Sequence, residues 1–213
     1  MLIEIFALGP LLTNTVVVSC EEKHVAAVID PSFEAEKTVL AYLKKKHLKL
    51  EVILLTHSHW DHIAGAKSLK DKSRAPIYIH KLDQGNLEKP GSDNLPLLYA
   101  IEGVKADHFV KDGDEIKIGT IKLKVIHTPG HSPGSVCYFA EKEKVLFSGD
   151  TLFQGTMGAL HLPTSSAEKM WPSLKKLSLL PKDTVVIPGH GEKTTIGKEV
   201  WLSKAKEHFS SGF

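Results

Sequence analysis

The chain has 213 residues, of which 42% are hydrophobic and 24% are charged, and its formal net charge at pH 7 is +2. This length is sufficient to bury a large core without disulfide bonds, and the composition is ordinary for a soluble globular protein. The 27 Lys and Arg residues are scattered along the chain, so we expect no nucleic-acid partner. Cys20 and Cys137 lie far apart in apolar runs, which favours buried free thiols in a reducing compartment.

The N-terminal residues show no secretory signal pattern, because they lack a basic start and include Glu4. No apolar run approaches the ~20 residues that a membrane-spanning helix needs. We therefore expect a cytoplasmic protein with no membrane partner. No linker or low-complexity stretch divides the chain, which favours one domain over residues 1–213 and leaves the oligomeric state open.

The first 80 residues alternate strands with helical segments. Apolar and β-branched runs predict five strands, at Leu2–Leu8, Thr15–Ser19, Val25–Ile29, Val52–Leu55 and Pro76–Ile79. Apolar residues at helical spacing predict helices at Phe33–His47 and Ile63–Leu69. This order favours an α/β layered fold. The irregular stretch that follows, Lys81–His108, is long enough to suggest a functional surface excursion such as a lid.

The second half is rich in predicted strands. Two hairpins are predicted from strands at Glu115–Ile118, Ile121–His127, Ser135–Ala140 and Lys144–Phe147. The stretch Ser165–Glu168 has the pattern of a capping box and predicts a helix that ends near Leu180. A short strand at Val185–Ile187 and a C-terminal helix at Thr195–Glu207 complete the prediction.

The loop after the predicted strand Val52–Leu55 has the sequence His57-Ser58-His59-Trp60-Asp61-His62. Three imidazoles and a carboxylate in six residues indicate a metal site, and a His-rich surface loop without a role is the alternative. Three more potential ligands, His131, Asp150 and His190, also follow strands, each directly after a glycine. Because all four segments follow strand ends, we expect them to converge.

The combined set contains five histidines and two aspartates: His57, His59, Asp61, His62, His131, Asp150 and His190. Imidazole and carboxylate donors suit Zn²⁺, Fe²⁺ or Mn²⁺. Seven ligands are too many for one tetrahedral ion, but they suit two ions about 3.5–4 Å apart. A structural zinc site would usually include Cys, so the set indicates an open, catalytic, dinuclear site.

Four ordered motifs resemble those of the metallo-β-lactamase-fold hydrolases, and more narrowly the glyoxalase II-like (hydroxyacylglutathione hydrolase-like) branch. The motifs are His57–His62, Thr128–Ser135, Ser148–Phe153 and Pro188–Gly191. The resemblance implies a four-layer αβ/βα sandwich with the site at one edge. It also implies that His57, His59 and His131 bind one metal ion, that Asp61, His62 and His190 bind the other, and that Asp150 bridges them.

Within this resemblance, Asp30 would orient the first ligand loop, and a plain Asp-Pro turn is the alternative. The two divalent ions are expected to be Zn²⁺, with Fe or Mn as alternatives. The implied activity is attack of a metal-bridging hydroxide on a small thioester such as S-lactoylglutathione, with Asp150 and Asp61 as catalytic residues. Asp61 is the candidate proton shuttle, although metal ligation would reduce its basicity.

The sequence departs from the family pattern in two places. Only residues 191–213 follow His190, whereas glyoxalase II proper has an added helical domain, so this chain resembles the short single-domain type. In addition, Gly158–His161 and Pro163–Ser165 stand where Gly-Arg-Thr-Asp and Pro-Gly-Gly are common. We expect a different substrate preference there, with His161 either facing the substrate pocket or filling the loop.

Other functions compete with thioester hydrolysis. An iron-dependent persulfide dioxygenase would use one ion held by two His and one Asp, and the complete second ligand set argues against it. A true β-lactamase of one large class would have Cys at the position of Asp150. A metallo-hydrolase acting on another ester or amide is the remaining enzymatic alternative, and a non-catalytic binding module would be expected to lose ligands.

Overall fold

The computed structural model describes residues 1–210. The first half of the chain forms a six-stranded sheet whose strands lie side by side in chain order. They are β1 (Leu2–Leu8), β2 (Thr13–Cys20), β3 (Val25–Ile29), β4 (Lys49–Leu54), β5 (Ile77–His80) and β6 (His108–Val110). The first three pair antiparallel, whereas β3 to β6 pair parallel. The five strands predicted in this half are confirmed, and β6 is an edge strand that the sequence did not predict.

The second half forms another six-stranded sheet, in the order β14-β13-β10-β9-β8-β7. Its strands are β7 (Glu115–Ile118), β8 (Ile121–His127), β9 (Val136–Ala140), β10 (Val145–Gly149), β13 (Val185–Pro188) and β14 (Thr194–Thr195). A small hairpin, β11 (Leu152–Phe153) with β12 (Thr156–Met157), follows β10. The two predicted hairpins are confirmed as β7–β8 and β9–β10.

Helices cover the outer faces of both sheets. They are α1 (Ala35–Lys46), α2 (Trp60–Ile63), α3 (Ala66–Ser73), α4 (Gln84–Glu88), α5 (Ala167–Leu177) and α6 (Ala205–Ser210). In α1, the acidic first turn and the three lysines of the last turn complement the helix dipole. None of the helices in residues 1–210 is both long and apolar enough to cross a membrane.

The main core lies between the two sheets. Val16 and Val18 of β2 pack there with Val125 of β8 and Tyr138 of β9. Val17, which points to the opposite face of β2, packs instead in the cluster beneath α1 and α3. All eight residues of β2 are therefore buried, because both faces of the strand are covered.

The second sheet is covered on its outer face by α5. Met170 and Leu174 of this helix pack against Cys137 and Leu146 of the sheet. The resulting order of layers is helix, sheet, sheet, helix, which confirms the α/β four-layer sandwich. Cys20 and Cys137 are both buried free thiols, as predicted.

Two of the predicted helices differ in the structure. The helix predicted at Ile63–Leu69 is divided into α2 and α3 at Gly65. A Cβ atom on Gly65 would lie 2.4 Å from the Ser32 carbonyl oxygen, so the chain can pass there only as glycine. The capping serine of α5 is Ser166 rather than Ser165, because the Ser166 hydroxyl accepts a hydrogen bond from the Lys169 amide at 3.4 Å.

The helix predicted at Thr195–Glu207 is wrong for most of its length. Thr194–Thr195 forms β14, and α6 begins only after a short 3₁₀ turn at Leu202–Lys204. Between them, the buried Glu199 accepts hydrogen bonds from the Thr194 hydroxyl, the Gly155 amide and the Trp201 indole. These tertiary contacts outweigh the local helical pattern.

Candidate metal centre

The first ligand loop begins where β4 ends, at the edge of the first sheet. His57 and His59 lie in the loop, His59 on extended backbone, and α2 then begins at Trp60 and carries Asp61 and His62 in its single turn. His57 and His62 are fully buried, and His59 and Asp61 nearly so. The loop therefore delivers four polar side chains into a closed site from one short stretch of chain.

The other three predicted ligands come from the second sheet. His131 follows β8, Asp150 follows β10 directly, and His190 follows β13, the parallel neighbour of β10. The Thr56 carbonyl, next to the first loop, accepts a 2.8 Å hydrogen bond from the Val136 amide of β9. This contact joins the ligand-bearing edges of the two sheets, so all seven predicted residues converge.

The seven side chains form two clusters with one carboxylate between them. Ligand atoms of His57, His59 and His131 all lie within 4.8 Å of one another, and so do those of Asp61, His62 and His190. Asp150 reaches both clusters, because its Oδ2 lies 3.4 Å from His131 Nε2 and its Oδ1 lies 3.4 Å from His62 Nε2. These two groups match the two sets that the resemblance implied.

Asp30 orients two of the histidines. Its carboxylate accepts hydrogen bonds from the Thr56 amide at 2.7 Å, the Thr56 hydroxyl at 2.6 Å and His62 Nδ1 at 3.0 Å. Since the Thr56 hydroxyl donates to Asp30, its oxygen accepts from His57 Nδ1 at 3.0 Å. Both rings therefore keep their proton on Nδ1 and turn the Nε2 lone pair towards the centre. These hydrogen bonds occupy the Asp30 carboxylate with orienting the two rings. The carboxylate also forms a third possible metal-binding group with His57 and His62.

Backbone carbonyls orient two more rings. His131 Nδ1 donates to the Ala159 carbonyl at 3.1 Å, and His190 Nδ1 donates to the Leu11 carbonyl at 3.0 Å. Their Nε2 atoms are then free to bind a cation. His59 is the exception, because its Nδ1 faces the cluster and lies 2.8 Å from His131 Nε2.

The donor set requires a positive charge at the centre. His62 Nε2 and His190 Nε2 lie 3.2 Å apart, and both rings carry their proton on Nδ1, so two lone pairs face each other. Such a pair repels unless a proton or a metal cation lies between the nitrogens. His57 Nε2 and Asp150 Oδ1 are fully buried and have no hydrogen-bond partner within residues 1–210. Orphaned donor atoms of this kind fit metal ligation.

The electrostatics favour ligands in their metal-binding protonation states. Burial and the neighbouring imidazoles lower the pKa of His57 well below its usual value, and they lower the pKa of His59 to about 3. Burial acts to raise the pKa of Asp150, but the adjacent histidines outweigh it and lower that pKa to about 2. At neutral pH, these histidines are neutral and this carboxylate is ionised, as metal ligands must be.

The pKa values of His62 and His190 are shifted in the opposite direction. Burial acts to lower the pKa of His62, but the charges of Asp61, Asp150 and Asp30 outweigh it and raise the pKa well above its usual value. The pKa of His190 is also raised, because its hydrogen bond to Asp61 and the charge of Asp150 overcome burial. The carboxylates thus attract a cation to the second cluster.

The sequence profile of the metallo-beta-lactamase superfamily matches residues 8–190. The chain belongs to this superfamily. The match extends from the end of β1 to His190, and so it includes every residue of the two clusters.

Relatives with similar length are found in this superfamily. A Bacillus subtilis (strain 168) protein named probable metallo-hydrolase YqgX is 34% identical over 208 residues, covering 96% of this chain and 95% of its own. The Haemophilus influenzae hydroxyacylglutathione hydrolase GloC is 34% identical over 203 residues, covering 93% of this chain and 95% of its own. Other relatives of comparable identity are uncharacterized.

Solved structures of superfamily members are similarly close. BLEG-1, described as a B3 metallo-beta-lactamase, superposes with a TM-score of 0.86 at 38% identity and covers 93% of this chain and 96% of its own. TTHA1623 in a di-iron-bound form has a TM-score of 0.77 at 36% identity and covers 90% and 94%. The chain is thus a metallo-hydrolase superfamily member with His and Asp clusters suited to divalent metal ions.

His161, the remaining predicted site residue, is exposed on the loop that follows β12. It lines a surface groove of about 770 Å³ together with Met157, Leu160 and Trp171. Ala159 also lines this groove, and its carbonyl accepts a hydrogen bond from His131. The groove therefore borders the centre at Ala159 and not at His161. His161 itself is not part of either metal cluster.

The sequence did not identify two buried residues that contact the ligand loops. The Thr13 hydroxyl donates to Asp61 Oδ2, and Asp83 accepts hydrogen bonds from the amide of Ser58 and the hydroxyl of Ser132. No local pattern marks either residue. Thr13 begins a strand, and Asp83 lies in the stretch predicted to be a surface excursion.

Proposed function

We propose that the protein is a dinuclear metal hydrolase of the glyoxalase II-like branch that cleaves small thioesters, with S-lactoylglutathione as the first candidate substrate. The observation that carries the proposal is the position of Asp150 between two three-residue clusters. The similarity to GloC, which is named for hydrolysis of hydroxyacylglutathione, supports the thioester. The proposed setting is cytoplasmic, with a small-molecule substrate.

In this proposal, His57, His59 and His131 hold one ion, and Asp61, His62 and His190 hold the other. Asp150, whose carboxylate lies between the two clusters, would serve as a ligand for both ions. Zn²⁺ suits the nitrogen and oxygen donors, as do Fe²⁺ and Mn²⁺, and the di-iron form of TTHA1623 supports iron as an alternative. When bound, two such cations supply Lewis acidity that activates water near neutral pH and polarises a carbonyl.

The protein side chains contribute orientation and charge. Asp30 and Thr56 hold the His57 and His62 rings, which fixes the direction of their Nε2 atoms. Asp61 is a weak candidate for the proton shuttle. Burial acts to raise its pKa, but His62, His190 and the Thr13 hydroxyl lower it far below its usual value. A carboxylate with so low a pKa does not accept a proton readily at neutral pH, so Asp61 is proposed as a ligand.

Substrate reaches the centre from the side of His190. The His190 side chain is 25% exposed, whereas those of Asp150 and His131 are only 10% and 4% exposed. Leu11 and Leu12 are exposed, and the Leu11 carbonyl accepts a hydrogen bond from His190. The Phe153 ring packs edge-on against the His190 imidazole. An apolar rim above a polar centre suits a substrate with an apolar or uncharged acyl end.

A second candidate function is hydrolysis of an amide such as a β-lactam, and the similarity to BLEG-1 favours it specifically. The same centre would polarise a lactam carbonyl. Persulfide dioxygenation is less well supported, because it needs one ion and three ligands, and both clusters here are complete.

One experiment distinguishes these functions. Purified protein is analysed for bound metals by mass spectrometry and assayed with S-lactoylglutathione, a panel of acyl thioesters, a chromogenic cephalosporin, and a glutathione persulfide with an oxygen electrode. We expect two ions per chain and the highest kcat/KM for a thioester. Faster lactam hydrolysis, or one iron with persulfide-dependent oxygen uptake, would overturn the proposal.

A further inference from the structure

Asp83 lies at the centre of a buried hydrogen-bond network outside the two clusters. Its carboxylate Oδ2 accepts from the Ser58 amide at 3.0 Å and from the Ser132 hydroxyl at 2.7 Å. Its Oδ1 accepts from the Gly134 amide at 2.6 Å. Asp83 is only 3% exposed, and these three donors are neutral groups.

The donors belong to two different ligand loops. Ser58 stands between His57 and His59, and Ser132 follows His131 directly. One carboxylate therefore joins the two backbone segments that present the three histidines of the first cluster. None of these three hydrogen bonds reaches the segments that bear Asp150 or His190. Asp61 and His62 lie further along the first loop, on α2, where the Thr13 hydroxyl and the Asp30 carboxylate hold their side chains.

Both backbone groups of Ser58 form hydrogen bonds with buried side chains. While Asp83 accepts from its amide, the Asn86 side-chain amide donates to its carbonyl at 2.6 Å. Asn86 is itself 7% exposed and is held by Asp93, to which it donates at 2.8 Å. The stretch between His57 and His59 thus cannot rotate without breaking two buried hydrogen bonds.

Gly134 makes the approach of Asp83 possible. A Cβ atom on Gly134 would lie 2.5 Å from Asp83 Oδ1, which is closer than real Cβ contacts. A side chain there would therefore push the carboxylate away from the Gly134 amide. Because residue 134 is glycine, the loop that contains His131 leaves room for the Asp83 carboxylate.

We propose that Asp83, supported by Asn86, is a positioning residue that sets the geometry of the His57–His59–His131 site and leaves the other site unaffected. Metal affinity depends on how ligands are oriented, and loss of a partner outside the ligand set commonly lowers it 10- to 100-fold. The inference rests on the two metal sites of the proposed function and not on its substrate.

The test is a double-mutant cycle read by chelator competition. His190→Ala weakens the second site and retains the first, whereas His131→Ala weakens the first and retains the second. We expect Asp83→Asn to lower the affinity of the ion retained by H190A about 10-fold or more. In H131A, the same substitution should change the affinity of the retained ion less than threefold.

Glu199→Gln is the matched control, because Glu199 is also a buried carboxylate with three neutral donors. It should alter thermal stability without a site-selective change in affinity. Ser132→Ala removes one donor and leaves Asp83 in place, so it should give a smaller loss of the same selectivity. If the D83N protein does not fold, the affinities of the S132A protein in the two backgrounds test the inference instead.

The outcomes are distinct from those of the proposed function. Equal losses in both backgrounds would show that Asp83 does not act selectively on the first site, and no loss in either would show that it does not position metal ligands; either result would overturn the inference. If D83N does not fold, an unselective S132A protein overturns it in the same way. Wild-type protein that binds no metal would instead refute the dinuclear site itself.

Discussion

The Thr13 hydroxyl donates a 2.7 Å hydrogen bond to Asp61 Oδ2 inside the fold. Thr13 begins β2, and Asp61 lies on α2, 48 residues further along the chain. Thr13 also forms a backbone bridge with His190. The first residue of one strand therefore contacts two of the three residues of the second cluster.

Replacement of Thr13 by valine should weaken the second metal site. Valine has nearly the same shape, so the change removes the donor to Asp61 and little else. We expect about a tenfold loss of affinity for one of the two ions, measured by chelator competition.

Thr184→Val is the matched control for this change, because the Thr184 hydroxyl is buried without a hydrogen-bond partner within residues 1–210. It should leave both metal affinities unchanged and maintain or raise the melting temperature. If T13V and T184V bind both ions equally well, the hydroxyl of Thr13 does not support Asp61.

Asp30→Asn should impair metal binding without disturbing the backbone. Asp30 has a φ of 49°, a left-handed conformation that asparagine also tolerates. The amide group must place a donor where Asp30 now accepts from Thr56 or His62, so the two rings lose their common anchor. Affinity should fall about 10- to 100-fold, measured by metal content after dialysis against a chelator. Full metal content in D30N would contradict an orienting role.

Metal removal should abolish activity and lower stability together. Chelation leaves the carboxylates of Asp61 and Asp150 close to each other around His62 with no metal cation between them. Because metal binds the folded state preferentially, free metal at 1,000 times Kd contributes about 4 kcal/mol to the free energy of unfolding. Calorimetry of metal-free and reloaded protein measures the difference, and thioester assays with Zn²⁺, Fe²⁺ or Mn²⁺ identify the ion that restores turnover. Identical melting temperatures in the two forms would contradict metal binding at this centre.

The metal-free protein should lose stability as the pH falls from about 6.5 towards 4. The pKa of His59 is about 3 in the folded protein, and the pKa values of His57 and His131 are also lowered. Below an unfolded-state pKa of about 6.5, the unfolded chain therefore binds more protons than the folded one, so the folded protein loses stability as the pH falls. His62 and His190 have raised pKa values, so they are protonated in the folded state over this range and also in the unfolded state below about pH 5.5, where they add no slope.

Urea unfolding of the metal-free protein at several pH values measures this slope. Each proton of difference contributes about 1.4 kcal/mol per pH unit. A His59→Gln variant should show a slope smaller by one proton, whereas His24→Gln, which changes an exposed histidine, should retain the wild-type slope. Unchanged stability from pH 6.5 to 4 would mean that the three rings are not buried in neutral form.

Much of the fold was predictable because its signals are local. The strand β2 has a run of β-branched residues and β8 alternates apolar with charged residues, and Gly119 marks the turn of the β7–β8 hairpin. The errors occurred where distant contacts decide the local structure. Gly65 divides a helix because the backbone of Ser32 lies against it, and Glu199 holds Thr194 in a strand because both contact the same buried network.

The sequence alone determined the composition of the centre. One six-residue loop and three residues after glycine turns named the six members of the two clusters and Asp150 between them, because each of these segments follows a strand end and these ends meet at one edge. It also indicated Asp30 as the residue that orients the first loop.

Only the tertiary structure decided how those ligands are held. Which nitrogen of each imidazole faces the centre depends on acceptors far away in the chain, such as the Leu11 carbonyl for His190. Thr13 and Asp83 contact the ligand loops through hydrogen bonds that span 48 and 25 residues or more. Hydrogen bonds depend on the positions of atoms in space, and a sequence pattern reports only which residues are neighbours along the chain.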